Sequence, residues 1–198
     1  GSIHGIIHAA GVIRDAPIEK KTVEDLQASC APKIGGTIYL DEASRSDNLD
    51  FFALFSSLAA VVGSPGQCDY AYANGFQSEY AGLREGLVAK KLRHGRTVTF
   101  EWPLWKDGGM QFERIKGIQL DEKTRAYLQE SSGMHPLETT AGLSAFMAGL
   151  IGDENKVLVV HGNQAKIGKI LGTGDTGIPV AGMTGRGLQD SAASLTYG

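Results

Sequence analysis

The sequence predicts a doubly wound α/β fold built on a parallel sheet. Segments of strand length recur along the chain: the compact apolar run DFFALF at 50–55, then RTVTFEW at 96–102 and KVLVVH at 156–161. Segments with helical periodicity fill the intervals between them. Small or polar residues follow the strands, at the end of a sheet where open α/β folds place their ligands.

The elements follow in order. Ile3 to His8 reads as a short buried strand that ends in a small-residue turn, Ala9-Ala10-Gly11. Thr22-Val23-Glu24-Asp25 has the form of a capping box and opens a helix running to about Ser29. A second helix starts at Pro32, where proline suits a first turn. Asp50 to Phe55 is a buried parallel strand, and Ser56 to Gly66 a loop. From Asp69 to His94 the pattern is helical, with Tyr72, Phe76, Tyr80, Leu83 and Leu87 forming an apolar stripe at three- and four-residue steps. Gly95 supplies its C-terminal stop. Arg96 to Trp102 is a strand, and Pro103 to Met110 a loop with a double glycine. Helices are predicted over 121–130 and 136–151, and Lys156 to His161 is the last strand. From Gly172 the composition turns to Gly, Thr, Ser and Ala. Residues 1–171 therefore read as folded domain and 172–198 as linker or tail.

At 198 residues, with 42% hydrophobic and 21% charged residues and a net charge of -3, one domain with a real core is expected. The densest basic group, Lys90, Lys91, Arg93, His94 and Arg96, falls where a helix ends and cations suit its dipole, so nucleic acid is not an expected partner. No apolar run approaches the roughly 18 residues of a membrane span. The start, GSIHGIIHAAG, lacks the basic leader and long apolar core of a signal peptide. Cys30 and Cys68 share no metal-type spacing, and a reduced, cytoplasmic setting is the default.

Three stretches sit at the carboxyl ends of the predicted strands: Ala9-Ala10-Gly11, Ser56-Ser57 and Pro103-Leu104. Small residues there let a flat ligand approach the backbone, although they also end strands for packing reasons. In GQCDYAYAN at 66–74, Tyr70 and Asn74 share a helix face. A phenol with a reference pKa of about 10 becomes a proton donor when a neighbouring cation stabilises its anion. Without one, a tyrosine at a helix start is ordinary packing. Lys33, on residue chemistry alone, is a solvated surface charge.

The run from His4 to about Ile167 resembles the ketoreductase domain of modular polyketide synthases, within the short-chain dehydrogenase/reductase superfamily. The matching stretches are HGIIHAAGVIRD, CAPKIGGTIYL, FFALFSSLAAVVGSPGQCDYAYANGF, FEWPLWKDGGM and GMHPLETTAGLSAF. The wording of PLWKDGGM and GQCDYAYAN is most similar to synthases whose acyltransferase acts in trans. The resemblance implies a Rossmann-like sheet, present here in part. It also implies NADPH-dependent reduction of a β-ketoacyl group carried on an acyl carrier protein, in company with neighbouring synthase domains. By position it makes Tyr70 the catalytic tyrosine and Ser57, thirteen residues earlier, the serine that bonds the substrate carbonyl. Lys33 becomes the lysine that holds the cofactor ribose and lowers the tyrosine pKa, and Asn74 the relay asparagine. Ala9, Ala10, Gly11, Pro103 and Leu104 join Lys33 and Tyr70 as cofactor-binding positions. Asp15 matches the last aspartate of an LDD motif, here Ile13-Arg14-Asp15. Val62 stands eight residues before the tyrosine, where the opposite stereochemical type carries tryptophan. Both imply a D-hydroxy product. Met110 falls among the substrate positions, and 111–134 in the lid.

No G-x-G-x-x-G appears near the start after a strand, so the pyrophosphate loop is expected in an N-terminal ketoreductase segment that complements this chain. The open edge of the first strand needs such a segment or a dimer-like contact. Two other readings compete: a free-standing reductase of a small ketone, and a structural half-domain without turnover. A complete Lys33, Ser57, Tyr70 and Asn74 set argues against the latter.

Overall fold

In the computed structural model, residues 2–107 and 122–173 are described, with Glu122, Thr124, Arg125 and Leu128 as backbone alone, and 192–196 likewise as backbone. Five strands form one sheet in sequence order, β1 (Gly5–His8), β2 (Phe51–Ser57), β3 (Arg96–Trp102), β4 (Lys156–His161) and β5 (Ala192–Thr196). The first four are parallel, with Ile7 opposite Ala53, Ala53 opposite Val98 and Phe100 opposite Val157. β5 runs antiparallel along β4. Residues 192–196, expected within a linker or tail, thus form an edge strand. The outer edge of β4 offers backbone groups for this strand to pair with.

The helices are α1 (Val23–Cys30), α2 (Gly36–Ala43), α3 (Ala59–Val62), α4 (Cys68–Ala89), α5 (Glu122–Ser132), α6 (Thr139–Ile151) and α7 (Gln164–Ile170). The predicted capping box is present: the Thr22 hydroxyl accepts from the Asp25 N–H, and the Asp25 carboxylate accepts from the Thr22 N–H. No break separates α1 from α2; a five-residue π-helical turn, Ala31–Gly35, joins them. Residues 59–62, expected as loop, are the single turn α3.

The two faces of the sheet are held by different forces. On the α6 side, Ala53, Val98, Phe100, Trp102, Leu137, Val157 and Val159 form an apolar core. Phe100 stacks on Trp102 with ring centres 5.2 Å apart, and Phe146 of α6 meets Phe100 at 5.0 Å. Burying a side chain such as Phe100 contributes about 2–3 kcal/mol. Gly149 lets α6 come this close, since a Cβ there would lie 2.3 Å from the Phe100 ring.

On the other face α4 packs through polar groups. Its buried residues are Asp69, Tyr70, Ala73, Asn74, Gln77, Ser78, Ala81 and Arg84. The predicted apolar stripe is not the buried face: Tyr72 is 64% exposed and Leu83 58%, while Phe76, Tyr80 and Leu87 are half-buried at its flank. Ala81 meets Phe52 and Leu54 of β2 in a small apolar cluster, and hydrogen bonds make up much of the rest of this interface. Ser56 Oγ donates to the Asn74 carbonyl at 3.0 Å, Thr99 Oγ1 to the Gln77 carbonyl at 3.2 Å and Ser78 Oγ to Glu101 Oε1 at 2.8 Å. Fully buried Arg84 donates to Asp41 Oδ1 at 2.7 Å, Thr97 Oγ1 at 2.9 Å and the His94 carbonyl at 2.8 Å. Arg93 reaches the same Asp41 oxygen at 3.0 Å and also pairs with Glu42. Arg93 is therefore a buried ion-pair member, and a helix-end reading fails for it. Burial alone would raise the Asp41 pKa, but hydrogen bonds from Arg93, Tyr80 and Arg84 outweigh it and hold the carboxyl below its usual range. α4 ends at Ala89, before the predicted stop; Lys91 takes a positive φ of 59°, and Gly95, at φ 79°, turns the chain into β3.

Candidate active site at the mouth of the sheet

The carboxyl ends of β1, β2 and β3 open on one side, where the first turn of α4 and the π-helical turn meet. Ser57 closes β2. Its Oγ accepts from the Ala59 N–H at 3.2 Å, which leaves its own O–H available as a donor. Tyr70 lies in the first turn of α4 and is 8% exposed. Burial raises the pKa of its phenol, hydrogen bonding with Ser57 and Asn74 works against that rise, and the Asp15 charge adds to it. Asn74, one turn on, is fully buried and donates through Nδ2 to the Tyr70 carbonyl at 2.7 Å. Its Oδ1 has no partner among the described residues.

Lys33 sits inside the π-helical turn and is 2% exposed, against the surface charge its chemistry alone suggests. A π-helical turn shifts the side chains that follow it off the α-helical register, and such turns recur at functional sites. Here the ammonium enters the sheet mouth, 5.9 Å from the centre of the Tyr70 ring. It donates to the Phe55 carbonyl at 2.7 Å and to Gln77 Oε1 at 3.1 Å. Gln77 is itself oriented by a bond from its Nε2 to Thr37 Oγ1 at 3.2 Å. Burial pulls the Lys33 pKa down to about 8. Next to it, buried His8 bonds through Nε2 to the Pro32 carbonyl at 3.0 Å. Burial first, and the Lys33 charge second, lower the His8 pKa, which favours the neutral ring donating to that carbonyl.

Four sequence-predicted residues, Lys33, Ser57, Tyr70 and Asn74, are thus brought together. Ala9 and Ala10 are exposed at the end of β1 with Gly11 behind them, and Pro103 and Leu104 follow β3. Asp15 is buried on the loop after β1; Gln67 Nε2 donates to one of its oxygens at 2.9 Å, and the other has no partner among the described residues. Burial raises its pKa, against the bond from Gln67 and the Lys21 charge. Val62 ends α3, 42% exposed. Met110 and residues 111–121 of the expected lid lie outside the described residues; α5 covers 122–132 of that span. Sequence reasoning missed Gln77, His8, Lys21 and Asp69. Gln77 was open to discovery, since it stands seven residues after Tyr70 on the same helix face.

A parallel α/β sheet with serine, tyrosine, lysine and asparagine converging at its mouth is the architecture of the short-chain dehydrogenase/reductase class. The family model of the KR domain matches residues 1–107, and the chain belongs to that family. It is 43% identical over 167 residues to the polyketide synthase PksN of Bacillus subtilis, a match that covers 84% of this chain and 3% of PksN. It is 38% identical over 180 residues to the polyketide synthase ThaG of Burkholderia thailandensis, covering 91% of this chain and 3% of that one. Among solved structures, a ketoreductase domain from the bacillaene assembly line superposes with a TM-score of 0.78 at 40% identity, over 86% of this chain and 39% of that one. The N-terminal ketoreductase from the macrolactin assembly line does so at 0.72 and 35%, over 86% and 30%. The chain therefore spans a few per cent of the length of its curated relatives. No helix among the described residues is long and apolar enough to cross a membrane.

Proposed function

We propose that this chain is the catalytic portion of a polyketide synthase ketoreductase. It reduces a β-ketoacyl thioester, presented by an acyl carrier protein, to the D-hydroxy product with NADPH. The observation that carries this reading is the buried Lys33 ammonium 5.9 Å from the Tyr70 ring centre. A charge is taken out of water at such a place only against a cost, and perturbed ionisable groups in a crevice mark functional sites.

The residues fit the cofactor. An ammonium has three N–H donors, and protein acceptors hold two of those of Lys33, which leaves one for a ribose hydroxyl. Lys33, Tyr70 and the turn Ala9-Ala10-Gly11 would hold the nicotinamide end, with Pro103 and Leu104 at the next strand. Bound NADPH supplies the hydride that reaches the β-carbon. The chain's own residues manage the charge that builds on the ketone oxygen. Ser57 and Tyr70 donate hydrogen bonds to that oxygen, and such a donor typically lowers the barrier by about 3 kcal/mol. Tyr70 then transfers its phenolic proton, and Lys33 stabilises the phenolate left behind. The unpartnered Asn74 Oδ1 is an acceptor that can hold a water, and a proton from such a water would restore the Tyr70 phenol. Asp15, and Val62 in place of tryptophan, support the D-hydroxy outcome.

The pyrophosphate loop and the partner strand for the β1 edge belong, on this reading, to a complementing N-terminal segment. Neighbouring synthase domains complete the setting. The test is Tyr70→Phe in the full ketoreductase domain, assayed with NADPH and a β-ketoacyl thioester mimic. Turnover is expected to fall by about 10²-fold to 10⁴-fold with the circular dichroism spectrum unchanged. Full activity in the variant would remove the proton-donor role.

A further inference from the structure

The loop from Ala9 to Thr22 crosses the start of α4, and a series of bonds fixes it there. Ser29 Oγ donates to the Val12 carbonyl at 3.1 Å, and the Ala16 N–H to the Gly66 carbonyl at 3.1 Å. Gln67 bonds Asp15 as described. The remaining tie is ionic. Lys21 Nζ donates to the Arg14 carbonyl at 2.5 Å and pairs with Asp69 Oδ1 at 2.7 Å. The same Asp69 oxygen accepts the Tyr70 N–H at 2.9 Å. One ammonium is thereby bonded to the residue before Asp15 and to the residue before Tyr70. The two side chains are 7% and 0% exposed.

A buried ion pair is a poor source of net stability, because desolvating two charges offsets most of their attraction. Where such a pair is kept, fixing one arrangement against its neighbours is a use the physics allows. This pair spans the two segments whose relative placement decides how a ketone lies between Asp15 and Tyr70. A slack loop would let Asp15 move while the proton donor, held by α4, stayed in place.

We propose that Lys21 and Asp69 are positioning residues that lock the Asp15 loop to the catalytic helix and so fix which face of the ketone is reduced. This role rests on the reductase reading above. Neither residue touches the reacting atoms.

The experiment uses the full ketoreductase domain carrying Lys21→Met, Lys21→Arg, or Lys21→Met with Asp69→Asn. Chiral analysis of the hydroxy product gives the ratio of the two configurations, and amide hydrogen exchange at Ala16 reports on the loop independently of turnover. Lys21→Met is expected to lower the configuration ratio by about tenfold and to speed exchange at Ala16, while Lys21→Arg restores much of the ratio. If Lys21→Met fails to fold, the double variant, which removes both charges together, carries the test with the same expectation. A double variant that folds and keeps the wild-type ratio within about twofold overturns the positioning role and leaves the reductase reading intact. A wild-type domain that reduces no ketone overturns the reductase reading, and the positioning role with it.

Discussion

Replacing Lys33 by methionine removes the buried ammonium and keeps most of the side-chain volume. Burial holds the Lys33 pKa at about 8, against 10.5 for a free lysine. Keeping the group charged at neutral pH therefore costs the fold about 3 kcal/mol. The substitution lifts that cost and orphans two acceptors, the Phe55 carbonyl and Gln77 Oε1, at about 1 kcal/mol or somewhat more each. The two effects nearly cancel, so near pH 7 the variant is expected within about 1 kcal/mol of wild type. The pH dependence separates them. Between about 8 and 10.5 the unfolded lysine still holds a proton that the folded one has lost. Wild-type stability therefore rises with pH through that window, by about 3 kcal/mol from this group, and Lys33→Met lacks the rise. Urea unfolding of both proteins from pH 7 upward reads the difference, while ketone reduction in the variant drops by about 10²-fold or more. Parallel stability curves across the window, or a loss above about 3 kcal/mol near neutrality, would refute the reasoning.

Two further outcomes follow from the α4 interface and its exit. Asp41→Asn leaves Arg84 and Arg93 without their shared carboxylate and should cost about 3–5 kcal/mol by urea unfolding. Because the Asp41 pKa is depressed in the fold, wild type should lose this contribution as pH falls below about 3.9 and through the folded value, a loss that Asp41→Asn does not share. Gly95→Ala places a Cβ 2.7 Å from the Leu49 carbonyl at a φ of 79° and should lower stability by about 3 kcal/mol; a change under about 1 kcal/mol would contradict that backbone.

β4 was legible because a parallel strand buried on both faces reads as an apolar run, KVLVVH. β3 lies where RTVTFEW places it, although that strand alternates: Val98, Phe100 and Trp102 join the apolar core while Thr97, Thr99 and Glu101 bond to α4. α4 was legible as a helix, but its orientation was not. Periodicity arguments follow apolar residues, and here Tyr72 and Leu83 face outward while Asn74, Gln77, Ser78 and Arg84 face the sheet. A buried polar face carries no hydropathy signal; its logic lies in partners such as Thr97, Thr99 and Asp41, which are far away in sequence. Lys33 was out of reach of residue chemistry for a similar reason, since a π-helical turn leaves no mark on composition, and only the family resemblance singled it out. Asp15 was singled out the same way, but Lys21 and Asp69, which hold its loop, look like ordinary surface charges in the sequence.

An apolar interface tolerates small slides, because one methyl contact can be traded for the next. The contact between α4 and the sheet has no such latitude. Displacing the helix along its axis would break the bonds at Ser56, Ser78, Thr99 and Arg84 together, with nothing equivalent waiting one step away. The phenol at its first turn is therefore indexed to the strands like a tooth in a ratchet. Variation that reshapes the substrate crevice thus leaves the proton donor at its station.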